Sequence, residues 1–303
     1  MVVAEPRVRR SPATLGLALL RLARPKQWVK NILLFAAPGA AGALSHTTPL
    51  VHTIVGFVLF CVASSGTYFL NDALDYEADR LHPTKRMRPI AAGLVPPAMA
   101  KAISVVLLAT SLILSAVLLS LDFMGVVAGY AFITVAYSLW LKHEAVIDLA
   151  CVASGFIIRA VAGGIAAGVL VSNWFVIVVS FGAMFMVAGK RHAEQLDMGD
   201  EAGSHRSTLD SYTLPYLRYI RTVSSALAIA SYCLWAFEKE ATIHGTAWYE
   251  FSIIPVVLGI FRYALVLETG AGSAPEEIVL GDRTLQFFGV AWAVLFGLGV
   301  YAR

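Results

Sequence analysis

The chain has 303 residues, of which 58% are hydrophobic and only 14% charged, and its mean hydropathy is +0.72. Soluble domains carry about 25% charged residues, so a soluble globular protein is excluded. The apolar runs are too long and too free of alternation for barrel strands, which leaves an all-α membrane protein. A net charge of +3 suggests no nucleic-acid partner; where the charge falls matters more than its sum.

Residues 1–27 read as a basic N-terminal part. Arg7, Arg9 and Arg10 form a tail suited to anionic lipid. A helix over 13–27 then lies in the interface with Leu15, Leu19 and Leu22 on one side. The short apolar piece from Leu15 to Leu20 is followed by Arg21, Arg24 and Lys26, so a cleavable signal is not expected. Residues 28–303 read as a single transmembrane domain of nine spans: 28–45, 50–71, 98–120, 122–141, 145–168, 173–190, 215–237, 247–268 and 284–302. The first has the shortest uncharged stretch and contains Pro38, with Trp28 and Lys30 as interface anchors.

With the N-terminus inside, nearly all of the 23 Lys and Arg fall on the cytoplasmic side. Lys239 and Arg303 fall outside, and Arg159 lies within a span. This bias places both charged connectors, 71–97 and 190–214, at the cytoplasmic face of a plasma (inner) membrane. Gly39, Gly42, Gly125, Gly129, Gly155, Gly163, Gly164 and Gly168 suit close helix approach, within one chain or between copies in a homo-oligomer. Cys61, Cys151 and Cys233 are far apart in apolar runs and read as small buried hydrophobes.

The densest charge lies between Asn71 and Ile90. Asn71, Asp75 and Asp79 are spaced four and four, which on one helix stacks three oxygen-bearing side chains about 6 Å apart. Carboxylates this close repel unless a cation sits among them. Oxygen-only ligands suit Mg²⁺, so Asn71, Asp72, Asp75 and Asp79 are the expected metal ligands. Lys85, Arg86 and Arg88 follow at once as partners for phosphate oxygens. The plain alternative is a charged loop joining two spans.

The second connector runs Lys190-Arg191-His192-Ala193-Glu194-Gln195-Leu196-Asp197 and on to His205-Arg206. Lys190 with Glu194, and Glu194 with Asp197, can share helical faces. The functional reading is a second phosphate cluster facing the first; the alternative is a salt-bridged helix end. Arg159 is costly in mid-membrane and is expected to face a polar cavity, a structural ion pair being the alternative. Tyr68, one turn before Asn71, and Tyr137 and Lys142, at the end of the fourth span, are expected at the same cavity. His82 precedes Pro83 and is equally a turn residue.

Asn71-Asp72-x-x-Asp75-x-x-x-Asp79, with His82-Pro83-x-Lys85-Arg86-x-Arg88-Pro89-Ile90-x-x-Gly93, resembles the first signature of the UbiA-type intramembrane prenyltransferases. The resemblance covers nearly the whole chain. It implies nine helices bundled around a central cavity, open sideways to lipid, with cytosolic cap loops. Most members carry a second motif of two Asp four apart; here Lys190-Arg191-His192-Ala193-Glu194 stands in that region. That departure is similar to the branch of the superfamily that transfers 5-phosphoribose to decaprenyl phosphate in actinobacteria. The lead-in Arg24-Pro25-Lys26-Gln27-Trp28-x-Lys30-Asn31 is similar to that branch too.

The resemblance therefore implies 5-phosphoribosyl 1-diphosphate as donor, decaprenyl phosphate as acceptor and Mg²⁺ as cofactor. It implies a product for cell-wall arabinan synthesis. Asp72, Asp75, Asp79 and Glu194 become the expected catalytic residues. Lys26, Lys30, Tyr68, Asn71, Lys85, Arg86, Arg88, Tyr137, Lys142, Arg159, Lys190, Arg191 and Arg206 become substrate ligands. Extra cations are what a site holding a second phosphate and a lipid phosphate needs. The competing expectations are an isoprenyl-diphosphate-dependent aromatic prenyltransferase of the same fold and a non-catalytic lipid-phosphate transporter. The transporter calls for ionisable residues spread across the membrane, and here they collect on one side.

Overall fold

A computed structural model describes residues 12–198, 211–243, 247–269 and 275–302, and the described residues contain helices and connections without a strand. Eight helical segments among them are long and apolar enough to cross a bilayer. They are α3 (Thr47–Leu74), α5 (Pro97–Leu118), α6 (Leu121–Leu139), α7 (Ile147–Ala167), α8 (Asn173–Met198), α9 (Leu214–Ile243), α13 (Arg283–Tyr301), and the pair α10 (Trp248–Phe251) with α11 (Ile253–Glu268). The remaining helices are short: α1 (Pro12–Ala23), α2 (Ala36–Ala40), α4 (Tyr76–Leu81) and α12 (Pro275–Gly281).

The first of the nine expected spans departs from expectation. Residues 28–45 do not form one helix. A 3-10 segment, Pro25–Phe35, leads into α2, and a 3-10 turn, Ala43–Ser45, follows. Gly42 between them takes a left-handed φ of 72°, which only glycine adopts without cost. This irregular strand of chain runs antiparallel beside α3. Trp28 Nε1 donates to Ser65 Oγ at 3.1 Å, Asn31 Nδ2 approaches Ser64 Oγ at 3.4 Å, and Phe35 packs its ring on Phe57. A 3-10 helix rises about 2 Å per residue, so its 11 residues cover roughly 22 Å. Among the described residues there are thus eight helical spans plus this segment, and a ninth span is not confirmed.

Two helical groups follow from the packing. In the first, α3, α5, α6 and α7 close on Leu34, Leu59, Phe60, Phe123, Val127 and Tyr130. In the second, α8, α9, α11 and α13 close on two clusters, around Phe185, Tyr263 and Leu267 and around Tyr232, Trp235 and Tyr249. Leu149 and Ala153 of α7 against Ala183 and Val187 of α8 join the groups. Small residues allow the closest approaches. A Cβ on Gly163 would lie 1.8 Å from the carbonyl oxygen of Leu34, so α7 and the 3-10 segment touch backbone to backbone. α1 packs Ala18 and Leu22, with Leu15 and Leu19 beside them, onto Phe69, Ala73, Ile90 and Val95. The face expected from the leucine spacing is the packed one, and it holds the segment after α4 in place.

Candidate active site

α3 ends at Leu74, and Asp75 sits at its C-cap with φ −92° and ψ 4°. The motif therefore spans a helix end, a junction and α4, not one continuous helix. The spacing survives because the helical bonding does: the Asp75 amide donates to the Asn71 carbonyl (3.0 Å) and the Asp79 amide to the Asp75 carbonyl (2.8 Å). Beyond α4 the chain turns on His82, whose Nδ1 accepts from the Thr84 and Lys85 amides, so His82 is a turn residue. Pro89 and Ile90 are buried, and this plug returns Arg88 to the motif.

Each acidic side chain of the motif meets a cation. Asp72 is 2% exposed. Its Oδ1 accepts from Arg24 Nη2 at 2.6 Å and Arg88 Nη1 at 3.1 Å. The same Arg88 nitrogen reaches Asp79 Oδ2 at 2.8 Å, so one guanidinium bridges two carboxylates. Asp75 Oδ1 accepts from Lys142 Nζ at 2.6 Å, and Asn71 Oδ1 accepts from Ser138 Oγ at 3.0 Å. Among the described residues no three His, Cys, Asp or Glu side chains converge as a metal site. The direct four-ligand set expected from the sequence is thus not assembled here; guanidinium and ammonium groups stand where a cation would. The donor set still fits a hard cation, being oxygen only and gathered within two helical turns.

A second cluster stands next to it. Asp148, fully buried at the start of α7, accepts from Arg191 Nε and Nη2 at 3.0 and 3.1 Å and from the Tyr137 hydroxyl at 2.8 Å. Arg191 Nη1 also reaches Glu194 Oε2 at 2.7 Å, and Lys190 lies 3.9 Å from Glu194 Oε1. Tyr137 and Ser138 are consecutive on α6, one serving Asp148 and the other Asn71. The end of α6 therefore ties the two clusters together, and Lys142 just beyond adds the Asp75 contact. The start of α7 is held from the other side. Val146 has a strained φ of 69°, and its amide donates to the Tyr212 hydroxyl at 2.7 Å. Burial pushes the Tyr212 phenol up, so it stays protonated.

The remaining expected residues sort as follows. Tyr68 lies under the Arg24 guanidinium, 5.1 Å from its ring centre. Lys26 and Arg86 are exposed, on the 3-10 segment and the turn after α4, and Lys30 and Lys85 are half-buried nearby. Arg206 lies outside the described residues. Arg159 departs from expectation. It is 5% exposed, and its three nitrogens go to Asn31 Oδ1 (2.6 Å), the Gly155 carbonyl (2.6 Å) and the Tyr130 hydroxyl (3.0 Å). It staples α6, α7 and the 3-10 segment instead of presenting a free cation, because a buried guanidinium must have its donors met. Glu194 pairs with Lys190 and Arg191 on its own helix.

Sequence reasoning gave no site role to Arg24, Ser138 or Asp148. Arg24 has φ 53° and ψ 59°, a left-handed conformation rare outside glycine, and reaches Asp72 across 48 residues. Its sequence signals were its place in a basic run before the first apolar stretch and at the head of the lead-in that resembles one branch of the superfamily. Asp148 stands at the start of α7, and nothing in the sequence marks Arg191 as its partner.

Fold and site together define a helical membrane protein that gathers carboxylates and cations at one end of its bundle. The model of the UbiA prenyltransferase family matches residues 32–300, and the chain belongs to that family. It is 41% identical over 305 residues to the decaprenyl-phosphate phosphoribosyltransferase of Corynebacterium glutamicum, covering 99% of this chain and 91% of that protein. It is 42% identical to the enzyme of the same name from Mycolicibacterium smegmatis, covering 96% and 94%. Among solved structures, a UbiA homologue from Archaeoglobus fulgidus bound to GPP and Mg²⁺ superposes with a TM-score of 0.70, at 21% identity, over 94% of this chain and all of that one. The last likeness is one of fold.

Proposed function

We propose that the protein transfers 5-phosphoribose from 5-phosphoribosyl 1-diphosphate to decaprenyl phosphate, releasing diphosphate, at the cytoplasmic face of the plasma membrane. The observation that carries this reading is the second cluster. Where a second acid pair would bind another metal ion, this chain builds Arg191 on Asp148, with Lys190 and Glu194 beside it. A donor with an extra phosphate and an acceptor with its own phosphate need these added cations. The extended relatedness to decaprenyl-phosphate phosphoribosyltransferases supports the same substrates.

Asn71, Asp72, Asp75 and Asp79 would hold Mg²⁺, which supplies charge neutralisation on the departing diphosphate. To open the motif, Arg24, Arg88 and Lys142 exchange their carboxylate partners for phosphate oxygens. Arg88, Lys85 and Arg86 then grip the diphosphate, while Lys190 and Arg191 orient the second phosphate. The ribose C1–oxygen bond loosens with oxocarbenium character, as in glycosyl transfer. The lipid phosphate is ionised near pH 7, its second pKa being about 6, so no strong general base is needed. Rate comes mainly from holding donor and acceptor in line.

The reading is tested with purified protein and two labelled donors. Label from the ribosyl donor should enter organic-extractable lipid only with decaprenyl phosphate and Mg²⁺ present. Transfer from an isoprenyl diphosphate to an aromatic acceptor instead would make it a prenyltransferase of the ordinary kind.

A further inference from the structure

The second helical group carries a polar cluster that the reaction does not use. His192 on α8 is 1% exposed and Arg221 on α9 is 5% exposed. Arg221 Nη2 pairs with Glu268 Oε1 at 3.0 Å, and Arg218, one turn earlier, takes the other oxygen at 3.1 Å. Arg221 Nε and Nη1 and both ring nitrogens of His192 are buried without a hydrogen-bond partner. Two arginines against one glutamate leave one positive charge in excess. A buried guanidinium with unmet donors is costly, and the chemistry that meets it is a set of acceptor oxygens carrying negative charge.

Directly along the bundle from this cluster lies a cavity of about 460 Å³ among α8, α9, α11 and α13. The helical register places one above the other. On α9, Arg221 is in line with Ser225, Ala228 and Tyr232; on α8, His192 is in line with Phe185, Gly182 and Val178. The cavity is walled by apolar side chains, and Gly182, Gly259 and Gly289 on three of the four helices leave its volume open. A Cβ on Gly182 or Gly289 would meet nothing within 4 Å. A cap of buried donors in want of acceptor oxygens, with an apolar groove of ligand size further along the same helices, describes an amphiphile.

We propose that this group of helices binds an anionic lipid, its phosphate monoester on Arg221 and His192 and its acyl chain in the chamber. His192 is turned about 100° around α8 from Arg191, so this site and the Arg191–Asp148 pair face different neighbouring helices. The site does not depend on the phosphoribosyl reading, because it draws on none of the residues assigned there. Bound lipid would brace α9 and α11 against α8.

The full-length chain, solubilised and stripped of lipid, is heated with one of three probes: dioleoyl phosphatidic acid, dioleoylglycerol or inorganic phosphate. Phosphatidic acid at about 100 times its Kd should raise the Tm by roughly 5 °C, and the other two should not. Arg221→Gln removes the phosphate contacts, and Gly182→Leu fills the chamber without touching the cap. Each should abolish the rise. If Arg221→Gln fails to fold, Gly182→Leu carries the test alone. Equal protection by inorganic phosphate in the wild type and in Gly182→Leu would overturn the lipid and leave a simple anion. No shift with any probe would overturn the site altogether and leave buried water as the partner of these donors.

Discussion

Asp148 and Arg191 face each other side on, two hydrogen bonds at 3.0 and 3.1 Å, with both side chains buried. The pair crosses from the first helical group to the second, so it sets where the second cluster stands relative to the first. Removing one partner strands the other charge away from water, which costs about 3–5 kcal/mol in known buried pairs. Asp148→Ala is therefore expected to lower the Tm sharply. Asp148→Asn keeps the shape and should fold, yet transfer should fall on the order of 100-fold because Arg191 is no longer aimed. Arg191→Lys should not rescue activity, since an ammonium cannot make the two-point contact. Thermal unfolding in detergent and steady-state kinetics separate these effects.

The Asp75–Lys142 contact is more open, with side chains 26% and 18% exposed. Breaking it should cost under about 1 kcal/mol of stability. Asp75→Ala is expected to insert and fold normally and to lose nearly all turnover, as is Asp79→Ala. Wild-type transfer by either would remove these carboxylates from the site. Glu194→Ala should impair transfer strongly; a mild effect would return the 190–197 segment to a structural role.

Arg24 combines an awkward backbone with an ion pair. Arg24→Gly relieves the left-handed conformation and loses the contact to Asp72; Arg24→Ala loses the contact and keeps the strain. The glycine variant should be the more stable of the two by about 1 kcal/mol. Both should show weakened donor binding. The comparison is read from paired melting curves and KM values.

Gly163 and Gly189 allow a graded test of close packing. An added methyl at Gly163 meets the Leu34 backbone, which cannot move aside, whereas at Gly189 it meets the end of the Leu267 side chain at 2.6 Å. Gly163→Ala should be severely destabilising, above the usual overpacking cost of about 1–3 kcal/mol. Gly189→Ala should be milder, because Leu267 can change rotamer. Yield of folded protein by size-exclusion chromatography ranks them.

Asp282 caps α13 by accepting from the Leu285 amide at 2.8 Å and pairs with Arg262 at 2.7 Å. The Arg262 guanidinium holds its carboxyl below the ordinary aspartate value of 3.8. A depressed value in the folded state means that this contribution is fully present above pH 3.8 and is lost as pH falls through the lower folded value. Exchange protection of the amides at the start of α13 should therefore be flat from pH 7 to about 5 once corrected for intrinsic rates. It should weaken only below about pH 4. In Asp282→Ala the protection should be low across the whole range.

The membrane class, the helical spans from α3 onward and the two charged segments were legible in the sequence. Each rests on local composition: a long apolar run must become a helix because lipid offers its backbone no other hydrogen bonds. The four-residue spacing of Asn71, Asp75 and Asp79 was legible for the same reason, and it persisted across the Asp75 junction because the backbone bonds did. The broken first segment was not legible, since its 3-10 form goes with a backbone contact at Gly163 that lies far along the chain. Nor were the partners of the charges. Arg24 with Asp72, Lys142 with Asp75 and Arg191 with Asp148 meet only after the helices pack. Sequence decides which residues are costly to bury; the tertiary structure decides which opposite charge relieves that cost, because Coulomb attraction depends on distances that no spacing along the chain contains.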